Sequence, residues 1–596
     1  MGRTMRNTTT RALRTFLYLI IYLALLVSCR KEPVVITTPV IEILDIVERI
    51  ETNKSRYNPG EEVRIQVLLK STDFESVRVR YRHLTTVIQE ETITPTGDQL
   101  DLSWSPPITD FRGYAIEFEF LRAGEVVAYA STAVDVSSDW TKFPRYGFLS
   151  KFPAMSSEAI AENIQRLNQY HINGLQFYDW HHKHHAPLPI VGNVPASIWL
   201  DIARRNTTFQ TVQEYIATAR QFNMAPMSYN LLYGAWEDFA ADGVSREWML
   251  FNDPNQNEIN KHDLDDNWAL SDIYLTNPAN SDWQDYIFTQ TDTIYQFLDF
   301  DGWHLDQLGH RGTVYDYDGQ AIDLWVAFIP FLQNLKARFP EKRMVLNAVN
   351  QYGQREIVST PVDFAYTEVW NPNEEYADLA HVILENHQFN NQLPSVLAAY
   401  VNYDLADQAG QFNEAAVLLA DAVIMAFGGC HLELGEHMLG KEYFPNDNLV
   451  MTPNLERKLV EYYDFMVANQ NVLRDGGNLV LSPGVTSYDL RLTNWPPSLE
   501  SVACFQKSIE EVDAYHLVNF YGLNSLEWRD NQGTQSPPIV HEGFTITLPT
   551  DQVRKIVYTS PDWQDGVQRE LAFTISGGNC MVEIPYLEYW GMLLVE

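Results

Sequence analysis

At 596 residues the chain is too long for one hydrophobic core, and two to four domains are expected. Its 42 Lys and Arg against 78 Asp and Glu leave a net charge of −36, a surface that repels phosphate backbones and excludes nucleic acid as a partner. Hydrophobic content of 45% is ordinary for a globular protein, whereas 13% aromatic residues is high and supplies rings that fill cores or stack on sugar faces.

In chain order, the first segment is a targeting signal. Arg3, Arg6, Arg11 and Arg14 precede an apolar run, Phe16 to Val27, too short to span a bilayer comfortably. The run ends Leu26-Val-Ser-Cys29, which resembles a bacterial lipobox, so Cys29 is expected to be the lipidated first residue of an exported, outer-membrane-anchored lipoprotein. Residues 30–40 then read as a tether. No acidic residue follows Cys29 directly, so inner-membrane retention is not indicated. Of the other cysteines, Cys430, Cys504 and Cys580, the natural disulfide candidate is Cys504–Cys580.

Residues 41–139 read as an immunoglobulin-like β-sandwich. Glu62–Leu69, Ser76–Tyr81, Tyr114–Phe120 and Glu125–Ala130 alternate apolar and polar residues with period two. From Tyr146 the rhythm changes to strand then helix. Strands are expected to begin at Tyr146, Ile172, Ala225, Gly302, Arg343, Asp363, Ser395 and His431, with helices between them, clearest at Ser156–Tyr170, Thr211–Phe222, Trp283–Leu298 and Glu414–Phe427. Eight such units over residues 140–488 predict a (β/α)8 TIM barrel. A doubly wound sheet would carry a Gly-rich phosphate loop after its first strand, and none is present. Residues 489–596 return to short strands and predict a C-terminal β-sandwich.

In such a barrel the active site lies at the C-terminal rim of the strands. The expected strands deliver Tyr178 and Asp179, Asn230, Asp306, Asn347, Glu368, Asn402 and Glu433 to that rim. Two carboxylates matter most. Asp301-Gly-Trp-His-Leu-Asp306 and Asp363-Phe-Ala-Tyr-Thr-Glu368 each end on an acid at strands separated by one other. Glycoside cleavage needs one carboxylate to attack and one acid to protonate the leaving oxygen, and about 5–5.5 Å between them marks a retaining enzyme. Asp299 and Asp301 precede their strand and belong to the opposite rim. Trp180, Trp236, Trp303 and Trp370 neighbour rim positions where they could stack on glucose. In Asp179-Trp-His-His-Lys-His-His185, adjacent histidines in one loop rarely face a single ion. That loop, His185 included, is therefore read as bonding sugar hydroxyls, with plain packing within the loop as the alternative. No metal or other cofactor is needed for the chemistry; a structural calcium ion is compatible with the sequence but not predicted by it.

Gln176-Phe-Tyr-Asp-Trp180, Asp301-Gly-Trp-His-Leu-Asp-Gln-Leu-Gly309, Tyr366-Thr-Glu-Val-Trp370 and His431-Leu-Glu-Leu-Gly435 with Glu442-Tyr-Phe-Pro445 together resemble glycoside hydrolase family 66. That family comprises dextranases and cycloisomaltooligosaccharide glucanotransferases. The resemblance covers residues 41–596 and implies a sandwich, a barrel and a second sandwich in that order. It also implies a retaining mechanism with Asp306 as nucleophile and Glu368 as acid/base, and α-1,6-glucan (dextran) and isomalto-oligosaccharides as substrate and products. Apart from the resemblance, a monomer is expected. The glucanotransferases carry a carbohydrate-binding module inserted in the barrel, and no insertion of that size is evident here. Endo-hydrolysis is therefore the expected activity. A cyclising transglycosylase, a non-catalytic glycan-binding lipoprotein and a barrel enzyme of different specificity, such as an α-glucosidase or α-galactosidase, are the rivals.

Overall fold

The computed structural model describes residues 44–509 and 511–596. The expected signal, Cys29 and the tether at 30–40 lie outside the described residues.

The first seven strands form two facing sheets. β1 (Val47–Thr52), β2 (Val63–Leu69) and β5 (Gln99–Trp104) make one; β3 (Ser76–His83), β4 (Thr86–Ile93), β6 (Arg112–Arg122) and β7 (Glu125–Val136) make the other. All pairs are antiparallel. In β2 every second residue is buried, the expected sign of a strand with one face on a core. The sequence pattern missed β1, β4 and β5. β4 has no buried residue at all, so it carries no alternation to detect. Its one neighbouring strand is β3, to which backbone pairing, the Tyr81 hydroxyl on Glu91 and the Arg80–Glu90 ion pair hold it.

Next come eight parallel strands: β8 (Tyr146–Leu149), β9 (Gly174–Phe177), β10 (Ala225–Leu231), β11 (Gly302–Asp306), β12 (Arg343–Leu346), β13 (Ala365–Glu368), β14 (Ser395–Ala398) and β15 (Gly429–His431). β8 to β12 form one sheet in sequence order and β13 to β15 a second. Parallel bridges Asn347↔Tyr366 and Phe148↔Gly435 join the two at both seams, closing the strands into a circuit. β8, β9 and β10 are wholly buried, as parallel strands covered on both faces must be. Two glycines permit close approaches here: a Cβ on Gly302 would lie 2.0 Å from Arg343 O, and one on Gly435 2.5 Å from Phe148 O. Either side chain would push neighbouring strands apart.

Helices alternate with the strands: α1 (Ser157–Gln169), α2 (Phe209–Gln221), α3 (Ser281–Phe297), α4 (Leu324–Arg338), α5 (Gln354–Ile357), α6 (Tyr376–Phe389), α7 (Glu414–Ala426) and α8 (Pro453–Ala468). Their starts follow from local chemistry. Ser156, Thr208, Asn280, Asn413 and Thr452 each accept a backbone N–H of the first turn, and Pro453 fits N1, where no N–H is needed. Inside the circuit a cluster including Tyr146, Met227, Val345, Tyr366, Val396 and Cys430 fills the space with side chains. Asp299 and Asp301 pair with Arg220 before β11, away from the strand's C-terminal end.

Three expectations need correction. The eighth strand is Gly429–His431 and not His431–Gly435, because Gly429 pairs with Ser395; Glu433 therefore lies past its end. The boundary expected after residue 488 falls earlier, since Asn478–Val480 pairs with Val502–Ile509 of the C-terminal sheets. Cys504 and Cys580 are free thiols, buried as small apolar groups in the core between those sheets, and no disulfide joins them.

Candidate active site

A cleft of about 670 Å3 opens at the C-terminal ends of the eight strands. Asp306, the last residue of β11, and Glu368, the last of β13, both line it. Between them stands Asn347, just past β12. Its Nδ2 donates to Asp306 Oδ1 at 2.9 Å and to Glu368 Oε2 at 3.2 Å. One nitrogen reaching both oxygens holds them no more than about 6.1 Å apart.

The two acids have different surroundings. Asp306 also accepts from Tyr229 Oη at 2.7 Å and from the Gln307 N–H at 2.8 Å. Burial pushes its carboxyl above the ordinary range, and these three donors oppose that push by favouring the anion. Glu368 accepts from Tyr400 Oη at 2.7 Å. Burial, then the Asp306 charge, push it to about 7, against the pull of Tyr400, Asn347 and Trp370. A carboxylate with three donors beside a carboxyl that keeps its proton near neutrality is the division of labour that acid-assisted displacement requires.

A third acid, Asp179, follows β9 with a left-handed backbone, φ 48°. Burial drives it to about 7, with Arg205 opposing. Aromatic rings build the cleft wall: Tyr178 stacks on Phe444 at 4.3 Å and lies 4.9 Å from Tyr229. Trp268, from the long segment between β10 and α3, meets Tyr443, from the segment after β15, with centroids 6.2 Å apart. Both border the cleft and both are exposed.

Of the residues expected at the site, the structure brings together Asp306, Glu368, Tyr178, Asp179, Asn347 and Trp370. It sets Trp180, His185, Trp303 and Glu433 off the cleft, as it does Trp236. Trp180 is fully buried against Trp199 and Phe300, because the chain turns inward after Asp179. His185 faces away to bond Asp242 and the Trp236 N–H. His184 lines the cleft instead, with Nδ1 bonded to Asn230 and Nε2 unpartnered; burial lowers it to about 4, so it is neutral. Trp303 points outward from β11 onto Phe331, its indole donating to Asn230 O. Glu433 is sealed among Tyr463 and His431.

Tyr229 and Tyr400 hold the two acids and were missed. Polarity alone points to the next polar residue, Asn230 in one case, whereas the alternation of strand side chains aims the tyrosines inward. Asn402, likewise expected at the rim, bonds Asp530.

Among the described residues, two clusters off the cleft have ligand chemistry suited to a cation, His185–Asp238–Asp242 and Asp421–His431–Glu433. In the first, Lys183 Nζ already bonds both aspartates. In the second, His431 Nδ1 lies 2.8 Å from Asp421 Oδ1 and its Nε2 2.7 Å from Ala399 O, so both ring nitrogens are spent on hydrogen bonds.

Residues 52–594 match the family described as Glycosyl hydrolase family 66. A Niallia circulans cycloisomaltooligosaccharide glucanotransferase is 27% identical over 716 residues, covering 92% of this chain and 72% of that protein. A Streptococcus salivarius dextranase is 22% identical over 581 residues, covering 82% of this chain and 68% of its own. Among solved structures, a Paenibacillus sp. cycloisomaltooligosaccharide glucanotransferase complexed with cycloisomaltoheptaose gives a TM-score of 0.85 at 27% identity, covering 92% of this chain and 99% of that one.

Proposed function

The chain belongs to glycosyl hydrolase family 66, and from that premise we propose that it is a retaining endo-hydrolase of α-1,6-glucan, a dextranase. The eight-strand circuit is read as a (β/α)8 barrel, flanked by an immunoglobulin-like sandwich and a C-terminal sandwich. The observation that carries the mechanism is the Asn347 amide, which bonds both acids and holds their oxygens within about 6.1 Å. Oxygens that close are compatible with the roughly 5–5.5 Å between carboxyl groups of a retaining enzyme.

In the first step Asp306 attacks the anomeric carbon while Glu368 gives its proton to the departing glycosidic oxygen, leaving a glucosyl ester on Asp306. In the second, Glu368 takes a proton from water, which attacks the same carbon and frees Asp306, so configuration is retained. Tyr229 and the Gln307 N–H keep Asp306 anionic for the first attack. Tyr400 orients the Glu368 carboxyl.

A second reading has support of its own. Two relatives with 27% and 26% identity are named cycloisomaltooligosaccharide glucanotransferases, so an acceptor sugar could replace water in the second step. Hydrolysis is the preferred reading: the first alignment extends over 716 residues although the chain has 596, so that glucanotransferase carries residues with no counterpart here, more of them than the dextranase does. On this reading the protein is exported and anchored through Cys29, and works on the polymer outside the cytoplasm.

The test is reducing-sugar release from dextran, with starch and cellulose in parallel and Asp306→Ala and Glu368→Ala as controls, and products sized for linear and cyclic oligosaccharides. Linear isomalto-oligosaccharides from dextran alone, lost in both variants, support the proposal. Mainly cyclic products would favour the second reading, and a silent wild type that still binds dextran would leave a glycan-binding protein.

A further inference from the structure

The segment 526–535 leaves the C-terminal sheets and lies along the loops that follow β13 and β14. Tyr376 N–H donates to Leu526 O at 3.0 Å, Trp528 N–H to Glu374 O at 3.0 Å, and the Trp528 indole to Asn373 O at 2.8 Å. Asn402 closes the other side, its N–H on Arg529 O at 2.6 Å and its Nδ2 on Asp530 O at 2.7 Å. Glu375 and Glu527 pair as an antiparallel bridge.

Arg529 sits at the centre of this contact, 5% exposed. Its Nε bonds Glu374 Oε2 at 3.0 Å, Nη2 donates to Val369 O at 3.0 Å and Nη1 to Tyr400 O at 3.4 Å. The guanidinium carbon lies 5.3 Å from the Trp370 ring. Val369 and Trp370 are the two residues after Glu368, and Tyr400 donates its hydroxyl to Glu368. A planar, forked cation suits this position because it grips two carbonyls and an acid while lying against an aromatic face, which a lysine cannot do.

Resting on the reading of Glu368 as acid/base, we propose that Arg529 is a positioning residue for it: from the C-terminal sheets it fixes Val369, Trp370 and Tyr400, and through them the direction in which Glu368 presents its proton. Arg529 touches no substrate on this account. The ionisable groups facing Glu368 are Asp306 on β11, Tyr366 on its own strand, Tyr400 after β14 and, beyond Tyr400, Glu442 after β15. Those facing Arg529 are Glu374 and Tyr403, with Asp530 beside it.

The experiment compares two substrates in the full chain. Dextran has a poor leaving group that must be protonated; α-isomaltosyl fluoride has a good one that departs almost unaided. Arg529→Gln is expected to lower kcat/KM on dextran by about ten- to a hundredfold, the scale of a misplaced catalytic group, and on the fluoride by no more than about threefold. The alkaline limb of the dextran profile should move up, because Tyr400 and Trp370, once loosened, no longer favour the Glu368 anion. Arg529→Lys should recover part of the loss, and it carries the test if the glutamine variant does not fold. Equal losses on the two substrates, or none on dextran, would overturn the proposal. Glu368→Ala is run alongside: if it still cleaves dextran, the acid/base reading itself has failed and takes Arg529 with it.

Discussion

Glu368→Gln should stabilise the protein, and increasingly so as pH rises. The carboxyl has an ordinary value of 4.5 and is held at about 7 in the folded chain, first by burial and then by Asp306. Between those values the folded chain keeps a proton that the unfolded chain has released. Stability contributed by this group is therefore present below pH 4.5 and is lost as pH rises to 7, at about 1.4 kcal/mol per pH unit. The full window corresponds to about 3 kcal/mol. One edge of the carboxyl borders the open cleft, which trims the figure to about 2–3 kcal/mol. The glutamine has nothing to titrate. Its amide does face the Asn347 amide, an offset, but one that does not change with pH. Unfolding entropy scales with length, so 2–3 kcal/mol moves the Tm of this chain by about 2 °C. Scanning calorimetry of both proteins at pH 5 and pH 8 measures it: the Tm difference, variant minus wild type, should grow by about 2 °C between the two. A difference that stays level would refute the claim that Glu368 is held protonated by its surroundings.

The dextran kcat/KM should follow a bell in pH, its alkaline limb near 7 set by Glu368 and its acid limb by Asp306, which burial places above the ordinary carboxylate range. Asp179 also titrates near 7, so Asp179→Asn is the control: loss of the alkaline limb in that variant would give the role to the wrong acid. Asp306→Ala should lower activity about 10⁴-fold or more, and added azide, entering where the carboxylate stood, should yield the β-glucosyl azide; an α product would contradict attack from the Asp306 side. Trp268→Ala or Tyr443→Ala removes one half of the aromatic contact that bounds the cleft, and chromatography should show longer products at little cost in kcat. Cys430, Cys504 and Cys580 are all buried, so thiol reagents should leave them untouched until the protein unfolds.

Both acids could be found from sequence because each terminates a short apolar run, and a buried strand that stops on a carboxylate leaves that group at the strand end. The eight-unit rhythm was legible for the same reason. What sequence could not resolve was direction. Trp303 and His304 are neighbours on β11 that point opposite ways, and only His304 lines the cleft. His184 and His185 differ in the same manner, the choice being made by Asn230 and Asp242, which lie 46 and 57 residues further on. Glu433 looked like a rim residue because His-Leu-Glu-Leu alternates, yet pairing with β14 starts the strand at Gly429. Trp268 lies in irregular chain between β10 and α3, where no periodicity marks it. Arg529 is separated from Glu368 by more than 150 residues and bears no local motif.

The circuit is two arcs, five strands and three, joined at each seam by a short run of contacts: Asp363 N–H on Met344 O and Ala348 N–H on Tyr366 O flank the Asn347↔Tyr366 bridge, and Phe148 N–H on Leu434 O accompanies the Phe148↔Gly435 bridge. Asp306 belongs to the larger arc and Glu368 opens the smaller. The Asn347↔Tyr366 seam runs between them, and the Asn347 side chain spans it like a rivet. The spacing of the two acids is therefore not a property of either arc but of how tightly they are joined. A small slip along that seam would separate Asp306 from Glu368 while the pairings within each arc survived, so that loss of turnover would be an early sign of the circuit beginning to open.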